Sequence, residues 1–147
     1  HPDWHLDIYG EGSLGRELQQ QIDFSELKDK VTLRGRRDNM MEKYTEYSLH
    51  IMTSRHEGLP MTLIEAQACG LPSVAFNFKF GASDIIKDYH NGIIVEQGNI
   101  NLFVNAITDM MNNEKMRMEQ GRKALENSRR FYAENIMPEW QKLIDGL

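Results

Sequence analysis

The sequence predicts an α/β fold, a parallel sheet flanked by helices, and three observations carry that prediction. Short apolar runs alternate with segments of helical period along the chain. Each run stops at glycine or polar turn residues: Gly10 and Gly12, then Gly35, then 54–58, then 79–81. Repeated strand–helix units of this kind build a parallel sheet with helices on both faces, and such sheets bind ligands at the carboxyl ends of their strands. With 147 residues, 40% of them hydrophobic, the chain has the size of one domain with room for a core.

Taken in order, residues 6–9 predict a strand with Gly10 and Gly12 at its exit. Leu14, Leu18 and Ile22 repeat at helical spacing in a helix over 14–24. A second strand covers 31–33. Residues 39–47 predict a short helix with Met40, Met41 and Tyr44 facing inward. A buried strand over 49–52 leads into a loop at 54–59. The next helix covers 61–69, and Gly70 stops it. A strand over 73–76 follows. Ser83 is placed to cap a short helix over 84–88. Asn91-Gly92 forms a turn before a strand at 93–95. Leu102, Val104, Ala106, Ile107, Met110 and Met111 mark an amphipathic helix over 99–112. A helix over 114–128 and a terminal helix within 133–147 close the chain.

The segment EGLPMTLIEAQACGLPSVAF, residues 57–76, carries the most chemistry. Glu57 and Glu65 stand with seven residues between them. Pro60 sits where a first helical residue belongs, since that position needs no N–H and Pro presets its φ. Gly58 lets backbone approach a ligand closely. A helix starting there would aim the amides of Met61, Thr62 and Leu63 at the mouth of the sheet, an end suited to phosphate. Helical side chains lean toward the N-terminus, so Glu65 can reach the same mouth that Glu57 borders. One anion site flanked by two hydroxyl-binding carboxylates suits a sugar nucleotide. Acidic residues near a helix start are also favoured by the dipole alone, and spacing by itself does not choose between these readings. The run GEGSLG has glycines at 10, 12 and 15, a G-x-G-x-x-G spacing, but no acidic residue lies alone at the expected ribose position and the match is short, so it is a weak dinucleotide signal.

Charge and composition exclude several classes. Net charge is −5, so there is no electrostatic footprint for nucleic acid, and the local cluster Arg34, Arg36, Arg37 reads as solvated surface. Cys69 is the single cysteine, so no internal disulfide forms and a cytoplasmic, reducing location fits. Beside Gly70 on an apolar helix end it reads as a structural thiol. The five histidines are scattered, with no ligand pair at helical spacing, so no metal site is predicted. His50 reads as a satisfied core residue and His56 as a surface loop residue. No run of about 18 apolar residues spans a membrane, and the N-terminus is no signal peptide.

The run EGLP-x-x-L-I-E-A-x-A-C-G-L-P-S-V resembles the donor-site signature of the retaining glycosyltransferases of family 4, which have the GT-B fold of two Rossmann-like lobes. The resemblance extends in order through PDWHLDIYGEGSL, DKVTLRG, YSLHIMTSRHEG and GASDIIKDYHNGIIV. It implies that residues 1–147 are a partial C-terminal nucleotide-sugar-binding lobe, one lobe of a GT-B fold lacking its first strand and helix. How the sheet compensates for that strand stays open.

The resemblance further implies an enzyme of hexosyltransferase type. It would move a sugar from a nucleoside diphosphate sugar to an acceptor hydroxyl, in polysaccharide or glycoconjugate synthesis. Glu57 would act at the transferred sugar as the catalytic residue, and Glu65 would hold the ribose hydroxyls. Gly58, Leu59, Pro60, Met61 and Thr62 would line the diphosphate, Gly10 and Gly12 a wall of the cleft, and Gly35 and Arg36 the base. No cofactor or metal is implied, since the nucleotide sugar is the substrate. A sugar or lipid-linked acceptor would reach the intact enzyme through its N-terminal lobe, with peripheral membrane association, and the chain alone would be inactive. Met61 departs from the commonest pattern, which leaves donor identity open. Two other readings also stand here: a noncatalytic Rossmann-like binding domain, and a nucleotide-sugar epimerase. Preference for a nucleoside diphosphate over NAD would separate them.

Overall fold

A computed structural model of the chain describes residues 1–79 and 81–146. Its strands and helices alternate as the periodicity predicts, and they group into two compact units, His1–Met40 and Met41–Leu147. Phe80 and Leu147 lie outside the described residues, so the expected loop at 79–81 and the expected terminal helix within 133–147 are described without them.

In the first unit, β1 (Leu6–Tyr9), α1 (Gly15–Phe24) and β2 (Val31–Gly35) form one right-sized strand–helix–strand repeat. The two strands pair in parallel with Leu6 opposite Val31 and Ile8 opposite Leu33, and a register shift then sets Tyr9 opposite Gly35. Of the apolar positions expected on the inner face of α1, only Ile22 is buried, while Leu14 and Leu18 are exposed. A two-stranded ladder is too narrow to cover the whole stripe.

In the second unit, α2 (Met40–Tyr44) begins at the boundary and leads to β3 (His50–Met52). Then come α3 (Met61–Ala68), β4 (Ser73–Asn77), α4 (Ala82–Ile85), β5 (Gly92–Glu96), α5 (Ile100–Asn112), α6 (Glu114–Ser128), a 3-10 turn at Arg129–Phe131 and α7 (Ala133–Asp145). The sheet order is β3-β4-β5, all parallel, with Ser73 opposite both His50 and Gly92. The β1–β2 ladder and this one are separate hydrogen-bonded sheets.

Side chains alternate across a strand, and both faces of the three-stranded sheet carry a core. Ala75 joins Met52, Leu63, Phe78, Ala82, Ile85 and Ile86 on one face. Val74 and Phe76 join Ile93, Val95, Phe103, Ala106 and Met110 on the other. The α5 face differs from the expected one: Phe103, Ala106 and Met110 are buried, while Leu102 and Val104 are exposed. Phe103 wins because its ring stacks on Phe76 at 4.4 Å between centroids, and an aromatic side chain buries the larger area. The Asn99 side chain caps α5 by accepting from the Leu102 amide at 3.1 Å.

Three further expectations shift. Tyr44 is buried but Met41 is exposed, because α2 lasts little more than one turn. The fourth helix covers 82–85 rather than 84–88, and Ser83 lies inside it; Gly81, with φ +98°, starts it. Pro60 is the residue before α3 rather than its first residue, with φ −76° and ψ 82°.

One buried carbonyl ties the α3–α4 side together. Ile85 O accepts from Gln67 Nε2 at 3.2 Å, Asn91 Nδ2 at 3.1 Å and Asn127 Nδ2 at 3.0 Å. Asn127 Nδ2 also donates to Gln67 Oε1 at 2.8 Å, and Asn91 Oδ1 accepts from the Lys87 amide at 2.6 Å. Gln67 and Asn91 are fully buried, so these bonds satisfy groups whose desolvation would otherwise be costly.

Candidate functional site

The carboxyl end of β3 runs into residues 53–60, and this loop is fixed from three sides. The Gln97 amide, just past β5, donates to Arg55 O at 2.8 Å. Thr62 in the first turn of α3 donates its hydroxyl to the Met52 thioether at 3.7 Å. Pro60 is buried, and Gly81 lies directly on it, close enough that a Cβ at Gly81 would sit 2.6 Å from Pro60 Cδ. The loop backbone is therefore seated on the turn that follows β4. At the carboxyl ends of β4 and β5 a cavity of about 790 Å³ opens between Asn77, Lys87, Asp88 and Glu96.

The sequence predicts three free amides at the start of α3, and the structure leaves one. Met61 N–H donates to Leu59 O at 2.9 Å, and Leu63 N–H donates to Pro60 O at 3.0 Å. With Pro60 outside the helix, its carbonyl accepts the Leu63 amide, and the Leu59 carbonyl before it accepts that of Met61. Among the described residues the Thr62 amide has no backbone partner, so it is the donor available to an anion at this helix end. Glu57 is half-buried in the loop, and its carboxylate has no hydrogen-bond or ion-pair partner among the described residues. Gly58, Leu59 and Met61 are exposed around it.

Glu65 stands one turn further along α3, half-buried. The Tyr44 hydroxyl donates to its Oε2 at 3.3 Å. Burial first, and then the Glu65 charge, push the Tyr44 phenol far above its usual range. Burial also lowers His50 to about 4, and its Nδ1 meets Ser73 Oγ at 3.1 Å. His50 is thus the satisfied residue the sequence suggests. The Cys69 thiol donates to Met41 O at 3.4 Å, and burial, then the Glu65 charge, raise its pKa. A raised pKa suppresses thiolate, which fits a structural thiol. His56 is exposed on the loop.

In the first unit Gly10 N–H donates to Gly35 O at 3.0 Å, so these two glycines meet at the carboxyl ends of β1 and β2. Gly12 O accepts the Gly15 amide at 3.2 Å. Arg36 is exposed and pairs with Asp38 at 3.4 Å, and Arg34 pairs with Asp7 at 3.0 Å.

The second unit therefore brings Glu57, Gly58, Leu59, Pro60, Met61 and Thr62 into one turn, with Glu65 a helical turn beyond. Sequence reasoning missed Tyr44, Gly81 and Gln97 as partners of that turn. Gly81 gave a signal, a glycine at a strand exit; the other two are contacts across long sequence separation. Chemically, the turn offers an amide to an anion, carboxylates to hydroxyl groups, and an apolar rim at Leu59 and Met61. Among the described residues, no three His, Cys, Asp or Glu are grouped to hold a metal. No helix among them is long and apolar enough to cross a membrane.

Comparison with known proteins bears on this arrangement. The exopolysaccharide phosphotransferase of Streptomyces coelicolor is 34% identical over 148 residues, covering 100% of this chain and 16% of that protein. The poly(ribitol-phosphate) alpha-N-acetylglucosaminyltransferase of Staphylococcus aureus is 34% identical over 140 residues, 95% of this chain and 28% of that protein. A crystal structure of S. aureus TarM in complex with fondaparinux, alpha-GlcNAc-glycerol and UDP matches with a TM-score of 0.89 at 34% identity, covering 95% of this chain and 28% of that one. The chain thus spans well under a third of the length of each. A family model for glycosyl transferases group 1 matches residues 1–127. The chain belongs to the group 1 glycosyl transferases and has the α/β fold of their GT-B members.

Proposed function

We propose that this chain is the donor-binding part of a retaining glycosyltransferase similar to family 4, and that the donor is a uridine diphosphate sugar. The intact enzyme transfers a hexose-type sugar to an acceptor hydroxyl in polysaccharide or glycoconjugate synthesis. The observation that carries this reading is the turn at the start of α3. There the Thr62 amide is open, the Glu57 carboxylate in the preceding loop has no partner among the described residues, and Tyr44 binds the carboxylate of Glu65 one turn further on. UDP in the TarM complex supports uracil as the base.

In this reading the helix start takes the diphosphate, where amide and dipole favour negative charge as the leaving group develops. Glu65 accepts from the ribose hydroxyls, and Glu57 orients the transferred sugar. Gly10, Gly12, Gly35 and Arg36 keep the nucleotide-contacting roles the resemblance implies. The nucleotide sugar is substrate, and the reading assigns no resident cofactor.

Two measurements test it. Titration with UDP and with NAD should show UDP preferred; binding of neither would favour a noncatalytic module. Product analysis on the full protein should show UDP released with each sugar transferred. The phosphotransferase relative gives a second reading, in which a sugar phosphate moves and UMP is released. UMP in place of UDP would choose that one.

A further inference from the structure

Glu65 has a flexible, unbranched side chain, and such a side chain binds well only if its carboxylate is held in place beforehand. The structure supplies the holder. Tyr44, the last residue of α2, is 5% exposed, and its hydroxyl donates to Glu65 Oε2 at 3.3 Å. Its ring stands edge-on to His50, with centroids 5.8 Å apart and planes at 86°. His50 is itself anchored across the sheet, to Ser73 Oγ of β4. The phenol is therefore fixed by the sheet, and it fixes the carboxylate.

The chemistry of the pair is one-directional. Burial and the neighbouring carboxylate keep the phenol protonated, so it donates at every ordinary pH. A carboxylate has about four lone-pair positions. Tyr44 occupies one on Oε2, which leaves Oε1 and the rest of Oε2 for ligand hydroxyls. A vicinal pair of hydroxyls needs both oxygens presented in one plane, and pinning one oxygen sets that plane.

We propose that Tyr44 is a positioning residue for Glu65, and that its hydroxyl sets the preference of the site for ribonucleotides over 2′-deoxyribonucleotides. The inference rests on the reading that Glu65 binds the ribose.

The test measures affinities of the full protein for UDP and 2′-deoxy-UDP in the wild type, Tyr44→Phe, Glu65→Gln and the double variant. Phe refills the space of the ring and keeps the edge contact with His50, and a thermal melt checks folding. Loss of one orienting hydrogen bond should weaken UDP about three- to tenfold. Binding of 2′-deoxy-UDP should change much less. In the Glu65→Gln background, Tyr44→Phe should cost UDP nothing further, since the two act as one unit. Equal weakening of both nucleotides, no weakening of either, or full additivity in the double variant would overturn the proposal. If Glu65→Gln itself leaves the ribose preference intact, the ribose assignment falls and the inference with it. If Glu65→Gln abolishes the preference while Tyr44→Phe preserves it, only the role of Tyr44 falls.

Discussion

Gly81 and Pro60 touch backbone to ring. A Cβ at Gly81 would lie 2.6 Å from Pro60 Cδ and 3.3 Å from its Cγ, and Gly81 itself has φ +98°. Pro60 is buried and its ring is rigid, so the neighbour cannot swing aside. The residue just before α4 thus holds the residue just before α3, and with it the loop bearing Glu57.

Gly81→Ala should therefore destabilise the protein and displace residues 57–60. Backbone strain alone costs about 1–3 kcal/mol, and the clash adds to it. Thermal melts should show a clear loss of stability, and titration should show weaker UDP binding. Gly58→Ala is the matched control, since a Cβ there meets nothing within 4 Å and its φ is ordinary. It should melt close to wild type. Equal stability losses in the two variants would refute the contact account.

Glu57→Ala should act on turnover. Its carboxylate has no structural partner among the described residues, so its removal should leave the melting midpoint nearly unchanged. If it orients the sugar, kcat should fall by about ten- to a hundredfold. Affinity for bare UDP should hold, because kcat and kcat/KM drop together when a transition-state contact is lost. Near-normal turnover would remove Glu57 from the chemistry.

His50 makes the fold acid-sensitive. Its pKa is about 4 in the fold against an ordinary 6.5, so below pH 6.5 the unfolded chain binds the extra proton. Stability from this group is complete above about pH 6.5. It falls as pH drops toward 4, by at most about 1.4 kcal/mol per pH unit. Carboxylates titrate in the lower part of the same window, so the measurement is a difference. Denaturation midpoints of wild type and His50→Gln from pH 7 to 4.5 should diverge at the high end and converge at the low end. Parallel curves would mean that His50 does not titrate there.

The purified 147-residue chain should bind UDP and transfer no sugar, because the family resemblance implies that the acceptor binds a second, N-terminal lobe. Incubation with UDP-sugar and candidate acceptors, read by UDP release, checks this. Transfer by the chain alone would refute the two-lobe account.

The order of elements was legible because periodicity is a local property. Residues 114–128 and 61–69 read as helices from the sequence; α6 covers the first range, α3 ends one residue short of the second at Ala68, and Gly70, with φ +71°, follows its end as its position suggests. Errors came where two local signals competed. Ser83 looks like a helix cap, but Gly81 can adopt a left-handed φ and starts the helix earlier. Leu102 and Val104 look like core, but Phe103 on the next face offers more area. The Glu57–Glu65 turn was legible as a segment, while its supports were not. Tyr44 lies 21 positions from Glu65, and Gln97 lies 42 from Arg55. Such pairs are set by how strands stack side by side, which no short window records.

The Ile85 carbonyl has a consequence for how this sequence can change. It serves three amide side chains drawn from α3, the turn before β5, and α6. Replace one, and the other two keep their desolvated polar atoms with fewer partners, at about 1–3 kcal/mol for each group left unsatisfied. Replace all three with apolar residues, and the Ile85 carbonyl and the Lys87 amide lose these partners in turn. Gln67, Asn91 and Asn127 therefore form an epistatic block. A mutational scan should find variants depleted at each position, and combinations tolerated only where an amide still donates to the Ile85 carbonyl.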